Sequence, residues 1–198
     1  MSSIVTMTTY PVRTRRWTRK EYERLVELGI IRDDEPIELI GGQLIVAEPK
    51  GSPHATAVEL TAQALRVAFG PGWAVRAQNP IALDDESEPE PDVLVVPGTL
   101  RDYRDAHPSS AALVVEVSET TLAFDRRHKA SLYARAGVAD YWIVNLVDRR
   151  LEVHRHPIAD SSAEFGWRYA GVTILSLDAS VSPLARPDAA VPVSALFP

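Results

Sequence analysis

The 198-residue chain has no cysteine, which excludes disulfide scaffolds, thiolate-bound zinc or iron–sulfur centres, and thiol nucleophiles. It also lacks a surplus of positive charge. Its 21 Lys and Arg stand against 27 Asp and Glu, a formal net charge of −6, opposite in sign to a protein that lives on phosphate contacts. An enzyme whose metal ions supply the local positive charge is not excluded by that balance. No apolar run approaches the roughly eighteen residues of a membrane span, and Met1 to Tyr10 are polar, without the apolar segment of a signal peptide. A cytoplasmic protein with no membrane partner is therefore expected. Phosphate-cradling glycine loops, Gly-x-Ser-x-Gly, internal repeats and heptads are all missing.

What remains is an ordinary globular composition, 45% hydrophobic, on a chain long enough to bury one core without covalent staples. We expect a single domain over 1–198, with a core at about 18–156, a basic arm at 11–20 (Arg13, Arg15, Arg16, Arg19, Lys20) and peripheral strands and a tail at 157–198. Thr18 and Glu21 form a capping box for a helix from about Arg19 to Leu28 that Gly29 ends. Ile37-Glu38-Leu39-Ile40 and Gln43 to Ala47 flank Gly41-Gly42 as a hairpin. Ser52 as N-cap and Pro53 at the first position open a helix with Val58, Ala62, Leu65 and Phe69 on one face, ending at Gly70.

Trp73 to Leu83 reads as a strand interrupted at Pro80, followed by an acidic loop from Asp84 to Glu90. Asp92 to Val96 and Leu113 to Val117 are strands, Asp125 to Ala136 a helix, and Tyr141 to Leu146 with Leu151 to Arg155 a hairpin around Asp148-Arg149. The order is a mixed α/β pattern around one sheet.

Three core-like strands each carry one carboxylate: Glu38, Asp92 and Glu116. Period-two alternation could turn any one of them to solvent. For Glu116 the flanking Val115 and Val117 take the opposite face, but Val114 shares its own, so that face is not simply polar. Buried carboxylates need compensating partners, and a divalent cation is one such partner. Lys129 follows Glu116 by thirteen residues, with Asp125 and Tyr133 one turn away on either side. It is either a solvated helix lysine paired with Asp125 or an ammonium that reaches the acids to orient a water.

Gln78 and His54 are weaker candidates, with an edge-facing glutamine and a surface histidine as the plainer accounts. The remaining histidines show no metal-ligand spacing. His154 and His156 share a strand face in sequence, and an exposed hairpin end explains them.

Pro91-Asp92, with Glu116-Val117-Ser118 further on and a lysine nearby, resembles the PD-(D/E)xK nuclease superfamily. The ordered series Gln78-Asn79-Pro80-Ile81, Glu88 to Asp92, Val114 to Ser118, Asp125, Lys129, Leu132 to Val138 and Tyr141 to Val144 is similar to the bacterial Uma-type restriction endonuclease family, over about Glu38 to Arg155. This implies a restriction-endonuclease-like core, α/β (α+β), with a central mixed β-sheet flanked by helices. It also implies a metal-dependent nuclease site acting on DNA, with a homodimer as one arrangement for cutting both strands.

The superfamily's strand lysine is replaced by Ser118, and Lys129 is the candidate that has moved to the following helix. By the resemblance Asp92, Glu116 and the Val117 carbonyl offer hard oxygens to Mg²⁺ or Mn²⁺, with Glu38 a further or water-mediated ligand. Gln78, His54, Tyr133 and Asp125 stand behind them. The alternatives are a non-catalytic nucleic-acid- or protein-binding module that kept the fold and, with less support, a carbohydrate hydrolase using paired carboxylates.

Overall fold

The computed structural model describes residues 14–32, 35–47 and 50–198; the start of the basic arm, Pro11 to Arg13, and the Met1 to Tyr10 segment lie outside them. Helix α1 (Arg19–Glu27) is held at its start by the Thr18/Glu21 capping box. Strands β1 (Ile37–Ile40) and β2 (Gln43–Val46) pair antiparallel as a separate two-stranded sheet. Gly41 and Gly42 sit at φ +54° and +77°, the left-handed geometry a two-residue hairpin turn requires, and a Cβ on Gly41 would stand 2.5 Å from the Phe165 ring.

Helix α2 (Ser52–Phe69) is capped by Gly51, not Ser52, so Pro53 takes the second helical position; its ring still blocks only a donor the first turn leaves unpaired. Val58, Ala62, Leu65 and Phe69 are buried on one face as the spacing predicts.

The main sheet has six strands in the order β3 (Trp73–Ala77), β4 (Val93–Pro97), β5 (Leu113–Ser118), β6 (Asp140–Asn145), β7 (Arg150–Ala159) and β8 (Trp167–Leu175). All neighbours are antiparallel except β5 and β6. β3 stops at Ala77, short of the strand expected to Leu83, because Gln78 turns to φ +51°. A parallel pair needs a crossover, and the segment between β5 and β6 supplies it: α3 (Leu122–Phe124), a π turn (Asp125–Lys129) and α4 (Ala130–Arg135). The helix thus begins before Asp125 and is widened in its middle. Short pairs β9 (Ser180–Val181) and β10 (Val191–Pro192) close the chain.

One sheet face packs on α2 and on the tail residues Val181, Val191, Val193, Leu196 and Phe197. The other packs Val114, Tyr141 and Ile143 on Ala130, Tyr133 and Ala134. β8 pairs along nearly all of β7, so residues after Pro157 build a sheet edge as well as a tail. His154 is buried among Tyr141 and Tyr169 while His156 is exposed. The two do not share an exposed hairpin end, because His156 takes φ +62°.

The tail is tied to the sheet through Asp140, which is fully buried. Its carboxylate accepts from Trp142 Nε1 (2.8 Å), Arg155 Nε (2.8 Å) and the Leu184 backbone N–H (2.9 Å). Removing it strands a guanidinium and two N–H donors. Asp140→Ala is therefore expected to cost about 3–5 kcal/mol, read as a lowered urea midpoint.

Glu88 works in the opposite sense. Its backbone N–H pins the acidic loop to Leu39 (2.7 Å), but its buried Oε2 has no hydrogen-bond partner among the described residues. Burial, with Glu23 adding, pushes its carboxyl up to about 7, and Arg19 only partly offsets this. A raised carboxyl contributes stability while protonated and loses it as pH climbs from the unfolded value near 4.5 through 7. Glu88→Gln should stabilise the fold by about 2 kcal/mol at pH 8 and by nothing at pH 4, measured by urea unfolding at both.

Candidate active site

β4 and β5 set the two central acids side by side. Val93 pairs with Val115, and one more step of that register puts Asp92 opposite Glu116. Asp92 is locked in place at both ends: its carbonyl accepts from Gln78 N–H (3.0 Å) and its Oδ2 from Val117 N–H (2.8 Å). Glu116 is buried on the face shared by Val114. Its Oε1 accepts from the Tyr133 hydroxyl at 2.7 Å and lies 3.0 Å from Lys129 Nζ.

The Lys129 ammonium also lies 3.3 Å from Glu38 Oε2. Glu38 is delivered by the β1–β2 hairpin, which the acidic loop holds through Gly42 N–H to Glu86 O (2.7 Å) and Glu88 N–H to Leu39 O (2.7 Å). The π turn carries Asp125 and Lys129, and both are buried, as is Tyr133 a turn later. Asp125 accepts from Thr121 Oγ1 at 2.6 Å. Glu38, Asp92, Glu116, Asp125, Lys129 and the Val117 segment line one cavity of about 260 Å³.

Two basic side chains, His54 and Lys50, also line the cavity. His54, in the first turn of α2, is buried, with Nε2 3.3 Å from Asp92 Oδ2. Lys50, just ahead of that helix, places Nζ 2.7 Å from Asp92 Oδ1. Lys50 is absent from the sequence-based candidates because it sits in no strand or helix pattern; its only signal is its place four residues before His54. Gln78 is exposed and does not line the cavity. Its part is played by its backbone.

The electrostatics follow from crowding. Burial alone would raise Asp92, but the His54 hydrogen bond and the Lys50 and His54 charges outweigh it and hold the carboxyl at about 2. Burial pushes Glu116 well above the carboxylate range, Lys129 opposing and Asp92, Asp125 and Glu38 adding. Asp125 and Glu90 are raised mainly by burial as well. Burial disfavours the Lys129 ammonium, yet Glu116, Glu38, Asp125 and Asp92 together hold its pKa well above the ordinary lysine value. One buried ammonium cannot fully compensate that many carboxylates.

The donor set is one of hard oxygens in anionic excess, and Glu38 Oε2, though 3.3 Å from the Lys129 ammonium, is buried without a hydrogen bond among the described residues. Both features suit a divalent, oxygen-loving cation. Among the described residues no three His, Asp or Glu side chains already stand at metal-holding spacing, since Lys50 and Lys129 are inserted among the acids. Lys50, about a third exposed on its side chain, is the one that can swing away.

A crystal structure described as "a putative nuclease belonging to DUF820" from Anabaena variabilis ATCC 29413 superposes with a TM-score of 0.67 at 14% identity, covering 91% of this chain and 97% of that one. At that identity the likeness shows a shared fold. A comparison with curated proteins returns no match. The Uma2 family model, described as "Putative restriction endonuclease", matches residues 19–191. That match runs from the first residue of α1 to the first of β10, and the chain belongs to the Uma2 restriction endonuclease family.

Proposed function

We propose that the protein hydrolyses phosphodiester bonds in DNA with the aid of carboxylate-bound Mg²⁺ or Mn²⁺. The observation that carries this reading is the convergence of Asp92 and Glu116, from neighbouring strands, with a buried Lys129 ammonium 3.0 Å from Glu116 at one cavity. Asp92, Glu116 and the Val117 carbonyl would hold the ion, with Glu38 as a further or water-mediated ligand. A divalent cation held by these groups would supply Lewis acidity, making water a better nucleophile at neutral pH and polarising a phosphate oxygen.

The chain's own residues do the positioning. Lys129 presents N–H donors to the attacking water and offsets negative charge growing on the phosphoryl oxygens. Tyr133 stays a neutral donor because burial and Glu116 keep its pKa well above the usual phenol value, and it fixes the Glu116 carboxylate. His54 and the Val117 N–H fix Asp92. Asp125 helps keep Lys129 protonated.

The Lys50–Asp92 pair favours a second reading, a binding module that kept the fold with its acid occupied by an ammonium. Supercoiled-plasmid nicking in Mn²⁺ separates the two. Asp92→Asn and Glu116→Gln should each lower the nicking rate by roughly 10²–10³. Nicking that survives both substitutions removes these roles. Absence of Mn²⁺ binding by the wild type in a calorimetric titration supports the module.

Lys129→Met should abolish nicking and expose its structural part too. With the ammonium gone, Glu38 and Glu116 lose the cation that lies within 3.3 Å of both, at an expected cost of about 3–5 kcal/mol at pH 8. Burial already raises Glu116, and without Lys129 it binds its proton more tightly still than in the unfolded chain, so the penalty shrinks toward pH 5. Urea unfolding of variant and wild type across that range checks the sign.

A further inference from the structure

Beside the acids, the lining of the cavity includes apolar side chains. Ile45 and Val46 from β2 and Phe124, the last residue of α3, line it. Val46 is 67% exposed, so an apolar side chain of the lining is open to solvent. Phe124 is held by near-parallel stacking on His128, with centroids 4.9 Å apart and planes at 17°. Phosphate and sugar are recognised by donors and charge, which such side chains lack. They suit the flat face of a nucleobase. At about 260 Å³ the space is just below the roughly 300–1,000 Å³ of pockets that enclose small organic ligands, a scale set by one nucleotide and not by a duplex.

The charges lead to the same class of substrate. Duplex binding draws its affinity from Lys and Arg that neutralise phosphates and release counterions. On the elements around the cavity four guanidinium groups are paired with carboxylates, Arg16 on Glu86, Arg19 on Glu23, Arg126 on Glu152 and Arg135 on Asp84, while Arg127 on the π turn is exposed. Stacking asks for no such surplus. Ile45 and Phe124 also border a second cavity of about 270 Å³, which adds Gln43, His128 and Phe165 as lining.

We propose that the site takes an unstacked nucleotide of single-stranded DNA, its base against Phe124 and Val46 and its phosphodiester at the Asp92, Glu116 and Lys129 cluster. For the reaction, though not for binding, this rests on the nuclease reading above.

The test is binding of a short oligonucleotide carrying one 2-aminopurine, as a single strand and annealed to its complement, with Ca²⁺ in place of Mg²⁺ to hold cleavage off. The single strand should bind at least ~10-fold more tightly than the duplex, with 2-aminopurine emission quenched by stacking. Phe124→Ala should weaken single-strand binding roughly 5- to 100-fold, and Phe124→Trp should restore it. Val46→Asp, at a solvent-exposed position that carries little folding risk, should weaken it as well. A duplex bound as tightly as the single strand, no binding to either, or indifference to both Phe124→Ala and Val46→Asp overturns the proposal. The two readings fail separately. Single-strand binding with these variant effects but no cleavage in Mg²⁺ or Mn²⁺ refutes the nuclease and leaves the pocket. Cleavage of duplex as fast as single strand, unchanged in the Phe124 variants, does the reverse.

Discussion

The buried ammonium of Lys129 joins three parts of the chain at one point. It lies 3.0 Å from Glu116 on β5 and 3.3 Å from Glu38 on the hairpin, while its own backbone belongs to the π turn. Burying any of these charges alone costs several kcal/mol. Two carboxylates cannot be drawn together in the interior without the cation, and the cation cannot be buried without them. Such an arrangement adds little net stability over an apolar core of the same shape. What it does is fix where the hairpin and the helix sit relative to the strand.

The sheet topology makes that meeting possible. β5 and β6 are the parallel pair in the six-stranded sheet, so the chain must leave the end of β5 and cross back over the sheet. The crossover begins beside Glu116 and returns as a helix over the same face. Lys129 therefore arrives beside Glu116. The π turn matters here because π-bulges set side chains off the regular helical stripe. Asp125 and Lys129 both turn inward, and Tyr133 still reaches Glu116 with its hydroxyl (2.7 Å).

The strands, the hairpin and the helix stops were legible because each is written locally, in alternation, in Gly41-Gly42 or in the Thr18/Glu21 box. The acids were legible because a carboxylate inside an apolar run conflicts with its surroundings. What local pattern could not carry was partner choice over long separations. Nothing near Lys50 in sequence announces Asp92, and nothing in Arg16, Arg126 or Arg135 announces that their charge is spent inside the fold on Glu86, Glu152 and Asp84. The end of β3 at Ala77 was hidden for a related reason. It is set by Gln78 bonding the Asp92 carbonyl, a constraint from another strand.

The acidic balance of the chain takes a different meaning once it is located. Negative charge in excess of two lysines surrounds the cavity, so a bare phosphodiester approaching it is repelled until a cation compensates the carboxylates. Asp92 is held at about 2 by His54 and Lys50, whereas burial pushes the Glu116 carboxyl up. Attraction before charge compensation must then come from a surface indifferent to sign. Val46, Ile45 and Phe124 offer such a surface in the lining of the same cavity.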